Sequence, residues 1–156
     1  MKSSMWLQAL KGIPRITAEE WSGLNPITRW LISVRAAVLV MTFISAALAG
    51  LLAWRDGDFI WWRWLLLAIG LILAHATNNI INDITDHQKG VDHQNYFRTR
   101  YGVQPLESGL LTRKQAYIMA GITGALAVAA GLPLVLTSGT LGWILLASGA
   151  FLVLFY

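Results

Sequence analysis

The chain has 156 residues, of which 56% are hydrophobic and only 13% are charged, and its formal net charge is +4. Soluble domains carry about 25% charged residues, so this composition is typical of a membrane protein. The sequence contains no cysteine, which excludes disulfides and thiolate metal sites. No basic stripe with interleaved aromatic residues lies outside the apolar segments, so no nucleic-acid partner is expected.

Residues 1–25 are mixed in character and predict a cytoplasmic segment at the membrane interface. Apolar and basic residues alternate there, as they do in helices that lie on a membrane surface. Thr17 followed by Glu20 predicts a capping box at the start of a short helix. Asn25 before Pro26 predicts the N-cap and first turn of the next helix.

The remaining residues predict an all-α, polytopic transmembrane bundle. Its first apolar run is long enough to cross the ~30 Å hydrocarbon core of a bilayer. Lys and Arg concentrate in the N-terminal segment and in residues 87–114, while the turns at 55–63 and 137–140 are nearly neutral. The positive-inside rule then places the N-terminus and the 87–114 connection in the cytoplasm, for a multi-pass protein of the cell (inner) membrane. The four predicted helices cover residues 26–54, 60–86, 115–136 and 141–156.

The most informative stretch is residues 75–92, HATNNIINDITDHQKGVD, at the end of the second apolar run. At 100° per residue, five polar side chains of a helix fall within a sector of roughly 100°. Such a stripe is expensive in a membrane, so it should face a protein interior or a wet cavity. The five residues are His75, Asn79, Asn82, Asp83 and Asp86.

The carboxylates of this stretch predict a magnesium site. Asp83 and Asp86 are three residues apart, so both can approach one cation, and the flexible Gly90 allows Asp92 to turn back toward them. Carboxylate and carboxamide oxygens suit Mg²⁺, which takes substrate phosphate oxygens as further ligands, whereas zinc lacks a compact ligand set here. The pattern therefore favours a membrane-embedded site for a lipid diphosphate. Positive charge for a phosphate group would come from Lys89, Arg98 and Arg100.

Several of these residues also have a structural interpretation. Asn78 alone is typical of an interhelical hydrogen bond, and His75 of a satisfied interior histidine. The aspartates also suit caps at a helix end in a solvated loop, and the basic residues also suit topology determinants. Arg35, the one charge between residues 30 and 54, either snorkels to the nearby interface or contacts an anion from inside the bundle.

The segment Asn79–Asp92 resembles the first aspartate-rich motif of the UbiA superfamily of intramembrane aromatic prenyltransferases. Its form, NDxxDxxxGxD, is similar to the branch that prenylates 1,4-dihydroxy-2-naphthoate in menaquinone synthesis. The run Pro105–Thr112 resembles the segment that leads into the third helix of the family. Arg35 stands where an arginine is often found early in the first helix, and the resemblance covers roughly residues 28–156.

This resemblance implies an Mg²⁺-dependent enzyme that transfers a polyprenyl group from a polyprenyl diphosphate to an aromatic acceptor in quinone biosynthesis. The implied catalytic residues are Asp83 and Asp86. The implied metal ligands are Asn79, Asp83, Asp86 and Asp92. The implied substrate-binding residues are Asn79, Asn82, Arg35, Lys89, Arg98 and Arg100.

Family members have about nine helices and a second aspartate-rich motif. The resemblance therefore implies that residues 26–156 are an incomplete transmembrane domain, about half of such a fold, with a C-terminal half or a second chain supplying the rest. One alternative is a non-catalytic membrane scaffold or partner-binding subunit derived from that fold. Another is a different enzyme of the superfamily that acts on a chlorophyll, haem or phospholipid precursor.

Overall fold

The computed structural model describes residues 4–90 and 102–155, and within these ranges the secondary structure is entirely helical. Three segments are long and apolar enough to cross a membrane, namely Ala36–Asp56, Trp61–Lys89 and Arg113–Thr137, and a shorter apolar helix follows them. The predicted all-α polytopic fold is therefore confirmed. The helices are α1 (Met5–Lys11), α2 (Ala18–Ser22), α3 (Pro26–Ser33), α4 (Val40–Asp56), α5 (Trp61–Lys89), α6 (Arg113–Thr137) and α7 (Gly139–Phe155).

Side-chain caps begin α2 and α3, as the sequence predicts. Thr17 Oγ1 accepts a hydrogen bond from the Glu20 backbone N–H at 3.2 Å, and Glu20 Oε2 accepts one from the Thr17 backbone N–H at 3.0 Å. Asn25 Oδ1 accepts from the Thr28 backbone N–H at 2.8 Å, and Pro26 opens α3. Each cap satisfies backbone donors that a helix start leaves without an intrahelical partner.

The fold comprises two compact units, of which the first contains the described residues of Met1–Val38 and Asn79–Ala120. Ala9, Trp21 and Ile32 form the buried centre of its apolar core. The N-terminal segment thus packs against the residues that precede α6, a contact that the sequence did not predict. The half-buried residues around this centre are Met5, Ile16, Leu24, Leu31, Val103, Leu110 and Leu111.

Backbone contacts add to this packing. The Val103 backbone N–H donates to the Pro14 carbonyl at 3.2 Å. Gly102 has φ +128°, and a Cβ atom there would lie 2.3 Å from Ile13 Cγ2. Only glycine meets both conditions, because it accepts positive φ and leaves room for the passing chain. Residues 13–14 therefore hold the chain at residues 102–103.

The predicted single helix over residues 26–54 is wrong, because the chain breaks between α3 and α4. Arg35 has φ +53°, and a 3-10 turn, Ala36–Leu39, connects it to α4. Residues 27–49 contain neither glycine nor proline, so no local helix breaker marks the position. A non-glycine residue with positive φ costs of order 1–3 kcal/mol, which the surrounding contacts must offset.

The second unit contains Leu39–Asn78 and the described residues of Gly121–Tyr156. Its helices pack closely where glycine faces a neighbour. Trp64 Nε1 donates to the Ala46 carbonyl at 2.9 Å, and its indole ring lies directly against Gly50. Small residues let helix backbones approach in this way, as the Gly- and Ala-rich composition of α6 also predicts.

Polar side chains of α5 form interhelical hydrogen bonds in the same unit. Asn78 Nδ2 donates to the Val153 carbonyl at 3.2 Å. His75 Nδ1 and Thr42 Oγ1 are hydrogen-bonded at 2.6 Å. The structural interpretation of both residues therefore agrees with the contacts that they make.

Candidate functional site

The polar end of α5 lies in the first unit, and its stripe faces the protein. Asn79 and Asp83 are buried, with exposed fractions of 8% and 9%. Asn82 and Asp86 are half-buried, and Lys89 is exposed at the helix end. Asn79 and Asp83, one helical turn apart, are thus the most enclosed polar side chains of this end of α5, as the cost of exposing them to lipid requires.

Arg35 forms a salt bridge with a carboxylate of α5. Its guanidinium Nη2 donates to Asp83 Oδ1 in a salt bridge, and the exposed fractions of the two side chains are 27% and 10%. A charge-assisted hydrogen bond in a partly desolvated place is stronger than a surface ion pair. The partner is a carboxylate of the protein itself, and the binding of a substrate anion by Arg35 stays a prediction.

Asn79 binds the same break in the helix, one turn earlier along α5. Its Nδ2 donates to the carbonyl of Val34 at 2.8 Å, and Val34 is fully buried. Carbonyls at a helix C-terminus lack intrahelical partners, so the amide satisfies a group that would otherwise be costly to bury. Because Nδ2 is used as the donor, Oδ1 is the acceptor that Asn79 offers to a ligand.

Two further contacts connect the end of α5 with the residues that follow position 102. His87 Nδ1 and Glu107 Oε2 are 2.7 Å apart, and Gln88 Nε2 donates to the Tyr117 hydroxyl at 2.7 Å. Glu107 was not predicted from the sequence as a partner of His87. The sequence indicated only that Glu107 lies within the Pro105–Thr112 run, and that run predicts no contact for it.

The donor set of this face fits magnesium by its chemistry. Asn79 Oδ1 and the carboxylates of Asp83 and Asp86 are all oxygen donors on one side of α5, and Mg²⁺ takes such ligands while keeping several waters. Within residues 4–90 and 102–155, no three His, Asp or Glu side chains form a cluster that could hold a metal. The remaining predicted site residues, Asp92, Arg98 and Arg100, lie outside the described residues.

The sequence matches the UbiA prenyltransferase family over residues 42–156. The matched range contains all of α5 with its polar end, as well as α6 and α7, whereas Arg35 lies before it. Comparisons with curated proteins and with solved structures give no match. Members of the matched family are membrane prenyltransferases, generally dependent on Mg²⁺. With its apolar spans and with a match over most of its length, the chain belongs to the UbiA prenyltransferase family of multi-pass membrane proteins.

Proposed function

We propose that this chain transfers a polyprenyl group from a polyprenyl diphosphate to an aromatic acceptor of the 1,4-dihydroxy-2-naphthoate type, in quinone biosynthesis. The observation that carries the proposal is the buried face of α5, where Asn79 and Asp83 turn inward beside the guanidinium of Arg35. Buried acidic and basic groups next to apolar spans suit a substrate with a charged head and a hydrocarbon tail. The spacing NDxxDxxxGxD supports the naphthoate branch among the aromatic acceptors.

The proposed roles follow from the chemistry of the side chains. A bound Mg²⁺ supplies positive charge against the leaving diphosphate. Its protein ligands are Asn79, Asp83, Asp86 and Asp92, of which Asp83 and Asp86 are the catalytic pair. The residues that bind the diphosphate or support these ligands are Asn82, Arg35, Lys89, Arg98 and Arg100.

We place the polar end of α5 at the cytoplasmic side of the inner membrane. The Lys- and Arg-rich segments are residues 1–25 and the connection after α5, and such segments stay in the cytoplasm. The diphosphate then binds at the cytoplasmic side, while the apolar tail remains in the hydrocarbon. Residues 26–156 belong to the transferase domain. A second chain is the proposed partner if it supplies further helices around the substrate.

Metal and donor binding tests this proposal on the residues of this chain alone. The full chain in lipid nanodiscs is titrated with Mn²⁺, a paramagnetic probe for Mg²⁺, in the presence of farnesyl diphosphate. Asp83→Asn and Asp86→Asn each remove one ligand charge, so Mn²⁺ affinity should fall by at least ~10-fold. Asp58→Asn is the matched control, because Asp58 is exposed in the turn before α5. Unchanged affinity in both site variants would contradict the proposed metal site.

Transfer itself is measured in membranes that contain the chain, with farnesyl diphosphate and 1,4-dihydroxy-2-naphthoate. A prenylated product is expected with Mg²⁺, is lost when EDTA removes the metal, and returns when Mg²⁺ is restored. A phenolic acid in place of the naphthoate tests the acceptor class. A product with the phenolic acid alone would move the enzyme to another branch of the family.

A non-catalytic scaffold is the second candidate, and one observation favours it. The contacts Asn79–Val34 and Arg35–Asp83 join α5 to the chain break, so the same side chains also serve the fold. If this is their whole purpose, Asp83→Asn lowers stability and leaves Mn²⁺ binding unchanged. Affinity capture from detergent then distinguishes the two cases, because a stoichiometric partner with its own aspartate cluster indicates a shared active site.

A further inference from the structure

We propose that Arg35 is a built-in counter-cation of Asp83 that makes the metal and the diphosphate bind together rather than the metal alone. This inference rests on the proposed function, since it concerns how the same site is loaded. It adds a role for a residue that precedes the range matched by the family. The role is one of charge, since the guanidinium contacts the carboxylate of Asp83 and also offers donors to the incoming diphosphate.

The backbone at Arg35 is held by the fold. Arg35 adopts a left-handed backbone conformation, φ +53°, which arginine rarely takes. The residues on its N-terminal side are held, since Val34 is fully buried and its carbonyl is bound by Asn79 at 2.8 Å. Ser33 Oγ donates to the Arg29 carbonyl at 2.9 Å. The backbone is therefore anchored, and any exchange of partners must occur in the Arg35 side chain.

The charge balance at Asp83 follows from this anchor. The carboxylate is only 10% exposed and already has the guanidinium as its partner. A divalent cation that approaches Asp83 meets a positive charge in a partly desolvated place, where the repulsion between like charges is weakly screened. Metal alone should therefore bind weakly.

A diphosphate removes this repulsion. Its oxygens accept from the guanidinium, which has five N–H donors in a planar fork and can contact two anions at once. The Arg35 side chain is 27% exposed, so part of the side chain stays accessible while Nη2 contacts Asp83. Binding of the anion then raises the affinity for the cation, and the coupling is reciprocal. The site is loaded as a metal–diphosphate unit.

The test measures Mn²⁺ affinity of the full chain in nanodiscs, with and without inorganic pyrophosphate, at buffered free Mn²⁺ concentrations. In the wild-type protein, pyrophosphate should tighten Mn²⁺ binding by ~10-fold or more, within the usual range of coupling between sites. In Arg35→Gln, Mn²⁺ alone should bind several-fold tighter, and the effect of pyrophosphate should largely disappear. Arg35→Lys keeps the charge, so Mn²⁺ alone should bind as weakly as in the wild type. Arg55→Gln, which removes an exposed arginine, should change neither value.

The outcomes separate this inference from the proposed function. If Asp83→Asn has the wild-type affinity for Mn²⁺ under both conditions, no metal binds at Asp83, and the proposed site is overturned together with this inference. If Asp83→Asn loses Mn²⁺ but Arg35→Gln binds Mn²⁺ alone no more tightly than the wild type, the site stands and the role of Arg35 is overturned. Arg35→Gln can also weaken Mn²⁺ binding equally with and without pyrophosphate, while Arg35→Lys keeps the wild-type values. That result would assign Arg35 a merely structural role and would also overturn the inference.

Discussion

The salt bridge between Arg35 and Asp83 makes a sharp prediction about stability, because its two partners are buried to different degrees. Arg35→Gln removes the cation from a carboxylate that is 10% exposed, whereas Asp83→Asn leaves a guanidinium that is 27% exposed. A charge that can reach water is less costly to leave behind than one that cannot. Arg35→Gln should therefore destabilise the protein more than Asp83→Asn.

The expected sizes follow from the partial burial of the pair. Removing one partner of a fully buried ion pair costs about 3–5 kcal/mol, and a hydrogen bond to a charged group contributes about 1.5–3 kcal/mol. Because Arg35 is partly exposed, we expect losses of ~2 kcal/mol for Arg35→Gln and ~1 kcal/mol for Asp83→Asn. In the double variant no charge remains at either position, so its loss should be smaller than the sum, with a coupling of ~1 kcal/mol or more.

The free energy of unfolding is measured for the wild type, both single variants and the double variant. A denaturant titration in mixed micelles, followed by far-ultraviolet circular dichroism, gives all four values under one condition. Arg55→Gln is the control, since the Arg55–Asp56 pair is well exposed and should contribute less than ~1 kcal/mol. Losses that add within ~0.5 kcal/mol, or an Asp83→Asn variant that is the less stable of the two, would refute the reasoning.

Two further predictions concern packing and the connection before α6. A Cβ atom at Gly50 would lie 2.5 Å from Trp64 Nε1, whereas one at Gly121 would meet nothing within 4 Å. In the same titration the free energy of unfolding should fall by ~1–3 kcal/mol in Gly50→Ala and rise by up to ~1 kcal/mol in Gly121→Ala. Equal stability of the two variants would contradict the close contact at Gly50. Glu107→Ala removes the 2.7 Å contact between His87 and Glu107, so its free energy of unfolding should fall by ~1 kcal/mol. Glu107→Gln can keep a hydrogen bond, so its free energy of unfolding should fall by less. Equal losses in these two variants would show that the hydrogen bond contributes nothing.

The sequence by itself determined what depends on short-range patterns. The apolar runs defined the spans, because a backbone in hydrocarbon must form its own hydrogen bonds as a helix. The caps at Thr17 and Asn25 were predictable, since each contact joins residues three positions apart. Helical periodicity likewise placed Asn79 and Asp83 on one face of α5. The family of the chain was predictable from the motif Asn79–Asp92, which resembles the first aspartate-rich motif of that family.

Only the tertiary structure decided where the first predicted helix breaks and what its break contacts. Residues 27–49 carry no glycine or proline, so local propensity favours a continuous helix there. Two contacts hold the break at Arg35. Asn79 binds the carbonyl of Val34, 45 residues earlier in the chain, and Asp83 binds the side chain of Arg35, 48 residues earlier. Contacts over such separations depend on how helices pack, and packing energy can exceed the small preferences that a local sequence expresses.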